Sequence, residues 1–434
     1  MSESDDPPER ADASAGEPEP ARADPGRRRT FAIVFLTIFL DLVGFGIIIP
    51  IQPFYAETFG ASATVVTLLG ASYSFAQFIM LPFWGRLSDR VGRRPVLLVS
   101  IAVAAVGYLL FGLAGSLGML FAARVLSGIG TANIGTAQAI IADLTDSRGR
   151  AGGMALIGIA FGLGFIVGPA LGGIFGQFGI AVPAFVAAGL SASNLVLASI
   201  LVPETHPPDR RGQGRTPARG LSIARLRAAL KLRDVPQLLA LYLVVTTGFA
   251  LMEQALPLFV EARWLPVPAA EIADPVQAEA AAQQAAGLTT WVLVVVGVTA
   301  VIVQGGLVGR LARRFGERPL LRVGLVLEAV SLGALPFIGW TGSFPLLLLG
   351  AVVMATGSGL YNPSLSALLS LSAPDDEQGG ILGLGQSMSA LGRVIGPAVA
   401  GLLFELVVGL PFWIAAVLMG IMVLVSITLR GPHV

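Results

Sequence analysis

Gly85-Arg-Leu-Ser-Asp89-Arg90-Val-Gly92-Arg93-Arg94-Pro95 is a short charged run set between two apolar stretches. It returns further on as Gly309-Arg-Leu-Ala-Arg313-Arg-Phe-Gly316-Glu317-Arg-Pro319. Seven of the eleven positions are identical, at an offset of 224 residues. A second echo pairs Gly164-Phe-Ile-Val-Gly168-Pro169 with Gly392-Arg393-Val-Ile-Gly396-Pro397 at an offset of 228. Two matches at nearly one offset imply a duplicated chain, with two related halves in the same orientation.

Composition says where such a chain lives. Of 434 residues, 54% are hydrophobic and only 13% charged, about half the charged share of a soluble domain. Mean hydropathy is +0.78. A water-soluble fold of this size has too little polar surface to cover that much apolar area. The formal net charge of +1 gives no reason to expect nucleic-acid binding. There is no cysteine, so disulfides, thiolate metal sites and thiol nucleophiles are excluded. His206 and His433 are the only histidines; both are expected in loops, and two cannot make a zinc site. Nothing points to an enzyme or to a cofactor. The 54 glycines suit closely packed membrane helices.

A bilayer core of about 30 Å needs roughly 20 apolar residues per helix. Twelve stretches qualify, near 31–54, 63–84, 95–115, 119–141, 152–175, 181–203, 236–260, 287–308, 319–338, 343–370, 380–406 and 410–429. The fold class is therefore all-α integral membrane, with twelve transmembrane helices in two six-helix, pseudo-symmetric halves. Residues 1–30 read as a disordered tail and show no signal-peptide pattern. Residues 31–203 form the first half, 204–235 a basic linker, and 236–430 the second half.

Arginines set the orientation. Arg27 to Arg29, Arg86 to Arg94, Arg148 and Arg150, the eight basic residues from Arg210 to Arg233, and Arg310 to Arg318 all fall on alternate loops. The opposite loops hold only Arg263. Both termini are expected in the cytoplasm. The Ala-rich, acidic segment 261–286 is expected outside, as a loop or an extension of span 8. Of the basic residues only Lys231 is a lysine, a composition expected of a GC-rich bacterial gene and hence of a cytoplasmic (inner) membrane.

With these residues on the page, the chain resembles the major facilitator superfamily, and in particular its twelve-span drug:proton antiporters. Gly85-x-x-x-Asp89-Arg90-x-Gly92-Arg93-Arg94 resembles the signature between spans 2 and 3. Arg124-x-x-x-Gly128-x-Gly130 is similar to the span 4 motif. Gly164-x-x-x-Gly168-Pro169-x-x-Gly172-Gly173 is similar to the span 5 motif of proton-driven antiporters, with Ala155 where its longer form has glycine. Asp41-Leu-Val-Gly44-Phe-Gly46 through Pro50 and Pro53 resembles span 1 of that family, and Ile141-Ala-Asp143-Leu-Thr its tetracycline branch. The resemblance implies a small-molecule exporter driven by protons, working as a monomer in the lipid bilayer. It also implies a gate, in which Asp89 faces the positive start of span 11 near Gly379 and Arg90 or Arg93 pairs with Asp143. In the second copy Arg313 and Glu317 reverse the charges, so the same pairs cannot form.

Charges inside the membrane are the candidate coupling groups. Asp41 lies about 16 Å along span 1, near mid-bilayer, where a charge costs about 2.5–3.5 kcal/mol or more. Arg124 in span 4 is its candidate partner, in a pair that changes with conformation or in a static one. Glu253 in span 7 reads either as a second proton carrier or as an acid at the outer mouth. Glu328 and Glu405 are weaker candidates. Arg393 in span 11 should neutralise an acid such as Glu253 or meet an anionic group. Gln77, Asn133, Gln138, Gln254, Tyr361, Asn362 and Gln386 are candidate cavity residues, with interhelical hydrogen bonding as the alternative for each. Three other functions stay open: a proton symporter for a metabolite, a lipid translocator, and a non-transporting membrane receptor.

Overall fold

The computed structural model describes residues 25–132, 134–144, 150–205, 227–374 and 378–429. Every regular element among them is helical. The first half contains α1 (Pro25–Ile48), α2 (Gln52–Glu57), α3 (Ala63–Val91), α4 (Arg93–Gly112), α5 (Leu117–Thr131), α6 (Ile134–Leu144), α7 (Arg150–Gly176) and α8 (Val182–Leu201). The second contains α9 (Val235–Trp264), α10 (Pro275–Ile302), α11 (Val308–Phe315), α12 (Glu317–Thr341), α13 (Phe344–Leu371), α14 (Gln378–Leu406) and α15 (Leu410–Ile427). Among the described residues eleven helical stretches are long and apolar enough to cross a membrane, with α5 and α6 forming one of them. The 27-residue α7 stands in the place of the twelfth.

Several boundaries differ from the sequence reading. Among the described residues helix α1 already includes Pro25–Thr30, part of the segment expected to be a disordered tail. The first span ends at Ile48, not at 54, where Pro50 and Pro53 interrupt the chain and α2 begins. The acidic segment 261–286 is largely ordered helix. Asp274 caps α10 by accepting from Val276 N at 2.9 Å, and Ala281, Ala282, Ala285 and Ala286 pack into the core. The linker residues 206–226 lie outside the described residues.

The repeat is visible in packing and in backbone angles. Gly92 and Gly316, equivalent at the offset of 224, both adopt positive φ, 119° and 80°. Each lets the chain turn from one helix into the next in a backbone conformation that residues with a side chain rarely adopt. Helix α7 lies against α1 along Gly164, Gly168 and Gly172. A methyl on Gly168 would stand 2.7 Å from Gly46 Cα, and one on Gly172 would stand 2.5 Å from Ile47 O. Helix α14 lies against α9 in the same way, with Gly392 on Leu243 O and Gly396 on Thr247 O. The correspondence extends across the junction of the halves. Gly173 touches Thr290 of α10, and Gly401, equivalent at the offset of 228, touches Thr64 of α3.

These cross-half contacts gather at the arginine-poor end. Thr64 N donates to Glu405 Oε1 at 2.9 Å, and Gly401 N donates to Thr67 Oγ1 at 3.0 Å. Tyr55 and Ala56 share one core with Leu258, Leu265 and Ala269 of the other half. Toward the arginine-rich end, Gly85, Gly305, Gly309, Gly380 and Gly383 have open space beside them. Among the described residues the hydrogen bonds between the halves lie at the arginine-poor end.

Because backbone meets backbone at Gly168, Gly168→Val must push α7 off α1. We expect a stability loss of about 1–3 kcal/mol, read as a lower thermal midpoint of the detergent-purified protein. Gly189→Ala, where nothing lies within 4 Å, should leave the midpoint unchanged.

Candidate functional site

Asp41 is buried, 6% exposed, on the inner side of α1. Asn194 of α8 reaches it, donating from Nδ2 to Asp41 Oδ1 at 3.0 Å and to Thr37 O at 3.1 Å. The sequence reading missed Asn194, although an asparagine inside an apolar run is costly enough to be a signal.

The expected Asp41–Arg124 pair is not made. Arg124 is 3% exposed, and its guanidinium lies over the Tyr73 ring, 4.3 Å from the centroid. Tyr73 is fixed by a 2.6 Å hydrogen bond to Thr131 Oγ1 and stacks on Phe45 at 5.1 Å. The ring face holds the cation by its quadrupole. Among the described residues Arg124 has no ion pair, and its Nε and Nη1 are buried without hydrogen-bond partners.

Arg124 turns instead toward the second half. It lines one small cavity with Phe45, Gln52, Glu253, Gln254 and Pro257. Glu253 is 9% exposed, not a water-facing acid at a mouth. The charges acting on it are those of Arg393 and Arg124. Gln254 packs its amide on Gly70 of α3, so this part of α9 meets the first half directly. Arg393 on α14 is partly exposed and makes no hydrogen bond among the described residues. Gln386 lies seven residues earlier and shares its helix face. The structure thus brings two arginines and one carboxylate, contributed by both halves, to the centre of the molecule. Asp41 is held by Asn194 of α8.

The remaining candidates sort by their partners. Gln77 donates to Thr131 O at 3.3 Å and Thr131 Oγ1 at 3.4 Å, so it ties α3 to α5. Tyr361 is 1% exposed within the second half's core, away from any cavity. Asn362 and Gln386 are exposed. Glu328 is fully buried between α12 and α13 with its Oε2 near Gly357. Asn133 and the side chains of Gln138 and Asp143 lie outside the described residues.

The gate motif forms a compact network. Arg93 is buried, and its Nη1 donates to Asp89 Oδ1 at 2.5 Å and to Ser88 Oγ at 2.7 Å. Its backbone N–H donates to Glu204 Oε1 at 2.9 Å, a cap on α4 that the sequence reading missed. Arg94 Nη2 donates to Ser199 O, and Arg90 is exposed. Asp89 therefore pairs with Arg93 within its own turn. Gly85 makes no close contact; Gly92 alone turns the chain.

A family model described as Major Facilitator Superfamily matches residues 34–276 and 269–433. The chain belongs to the major facilitator superfamily. It is a multi-pass membrane transporter of that superfamily, not an enzyme, and is homologous to tetracycline and multidrug efflux proteins. It is 30% identical over 373 residues to the class C tetracycline resistance protein of Escherichia coli, covering 85% of this chain and 87% of that protein. It is 28% identical over 410 residues to multidrug resistance protein 1 of Bacillus subtilis, covering 93% and 97%. Among solved structures it is similar to the human organic anion transporter MFSD10 (TETRAN), with a TM-score of 0.68 and 25% identity over 93% of this chain and 100% of that one. In this major facilitator transporter the central charges lie where the two halves meet.

The geometry sets a double-mutant test on thermal unfolding of the purified protein. Arg124→Gln with Glu253→Gln should show coupling of about 1 kcal/mol. Arg124→Gln with Asp41→Asn should be additive within about 0.5 kcal/mol.

Proposed function

We propose that this transporter is a proton-coupled exporter of amphipathic small molecules, working by alternating access in a bacterial cytoplasmic membrane. The arginine-rich end is cytoplasmic by the positive-inside rule, which puts both termini inside. On that orientation the hydrogen bonds between the halves lie on the outer side, which supports an inward-facing state. Substrate enters between the halves from the cytoplasm or inner leaflet and meets the surface around Arg124, Glu253, Gln254 and Arg393. A single chain in the bilayer is sufficient, and protons are the only coupling ion required.

What carries the reading is the amide beside Asp41. Asn194 Nδ2 donates to Asp41, while Asn194 Oδ1 is buried and accepts no hydrogen bond. An amide can serve both protonation states. It donates to the carboxylate and, after turning about its terminal bond, accepts from the carboxylic acid. An arginine partner would serve only the ionised state. Asn194 is thus suited to serve Asp41 in both its ionised and its protonated form.

Arg393 favours a second reading for the substrate. An intramembrane cation with no hydrogen bond is suited to an anionic group, and the similar human protein is named as an organic anion transporter. The two readings differ in the sign of linkage. A bound anion and a proton on Glu253 favour each other, which gives co-transport. Antiport needs proton and substrate to compete.

Everted vesicles with an internal pH-sensitive dye decide between them. With antiport, adding tetracycline or a lipophilic cation releases protons from the acidified lumen, and Asp41→Asn abolishes the response, by at least about tenfold if the barrier rises by about 1.4 kcal/mol. Proton movement that persists in Asp41→Asn removes the coupling role from Asp41. A response only to organic anions, in the opposite direction, replaces antiport by co-transport.

A further inference from the structure

A second pair of acidic side chains lies far from the central charges, at the arginine-poor end. Glu57 ends α2 in the first half, and Glu261 lies near the end of α9 in the second. Tyr55 pins α2 to its own half by donating its hydroxyl to Ala114 O at 2.9 Å. Glu261 is 4% exposed, and its Oε1 accepts from Ala269 N at 2.8 Å. Glu57 follows Ala56, which shares a core with Ala269, the residue whose N–H Glu261 accepts, and the two carboxyl groups act on each other across the junction. Glu57 Oε2 is buried, with no N–H or hydroxyl donor.

Two carboxylates in contact cannot both be ionised away from water, and a hydrogen bond between them requires a shared proton. Among the described residues no cation acts on either group in its place. The 3₁₀ turn Ala269–Glu271 brings Glu271, a further negative charge acting on Glu261. Helix α10 carries Glu279 near Gly179. Glu405 of α14 is engaged with Thr64. Helix α3 has no charged residue near its start. Arg263, on α9 itself, leans its chain on Gly339 of α12. Burial and the neighbouring Glu261 push Glu57 up to about 9.

We propose that Glu57 and Glu261 form a proton-dependent latch that holds the two halves together at the arginine-poor end. One proton, held as O–H···O between the carboxyl groups, closes that end. When the halves part, both groups meet water, ionise and release it to that side. Closing again takes one proton up. This latch rests on the alternating-access reading above but not on antiport. The sign follows from the raised Glu57: the latch holds at neutral and acid pH and is lost as pH rises through about 9.

The chain has no native cysteine, so Leu113→Cys with Leu406→Cys gives two clean labelling sites. Both residues are exposed at the arginine-poor end, one in each half. Spin-label distances would be measured on the full chain in nanodiscs, without substrate or gradient, from about pH 6 to 10. The parent should hold the short distance at low pH and lose it toward the alkaline end. Glu57→Gln should keep the short distance throughout, because its amide donates to ionised Glu261. Should that variant not fold, Glu261→Gln takes its place, with the same expectation. Asp41→Asn should titrate like the parent. A parent distance that does not change with pH overturns the latch, as does a glutamine variant whose distance shifts with the parent's. Vesicle proton movement reads antiport separately, so either idea can fail alone.

Discussion

Close backbone contact at glycine is the constraint on which the rest of this molecule depends. In lipid there is no hydrophobic gain in bringing one apolar helix to another, so association rests on close packing and a few polar contacts. Gly164, Gly168 and Gly172 let α7 settle onto α1, and Gly392 and Gly396 let α14 settle onto α9. Each half is thereby held as a unit. The same two helices turn a neighbouring glycine, Gly173 or Gly401, across to the other half. Seams within the halves and seams between them thus share helices, and the molecule can hinge without losing either half.

Charge placement follows from this scaffold. The central arginines and Glu253 come together because α5, α9 and α14 carry them to the junction, where Tyr73 and Phe45 supply aromatic surface. Asp41 is held by Asn194 of α8.

Much of the architecture was legible in the sequence. Apolar stretches of sufficient length, arginines on alternate loops and an eleven-residue repeat are local or periodic features, and they mapped onto the helices within a few residues. The Ala-rich segment 261–286 was ambiguous because alanine suits both a loop exposed to water and a helix extension. Asp274 and the packing of Ala282 and Ala285 decided for the helix. The short α2 was hidden because Pro50 and Pro53 break an otherwise continuous apolar run. For the site, the charged residues were found but their partners were not. Arg124 and Asp41 looked matched because they have opposite charges, whereas Tyr73 and Glu253 compete for the arginine through space.

The sequence by itself determined that this is a duplicated, twelve-span membrane protein, that its arginines gather on alternate loops, and which charges are costly inside a membrane. Those follow from hydration cost and residue periodicity, which act along the chain. The tertiary structure alone decided that Asn194 serves Asp41, that Arg124 shares a cavity with Glu253, that Asp89 pairs within its own turn, and that Glu57 meets Glu261. These contacts join residues far apart in the chain. They depend on how helices rotate and how far the halves have swung, and residue type alone carries neither angle.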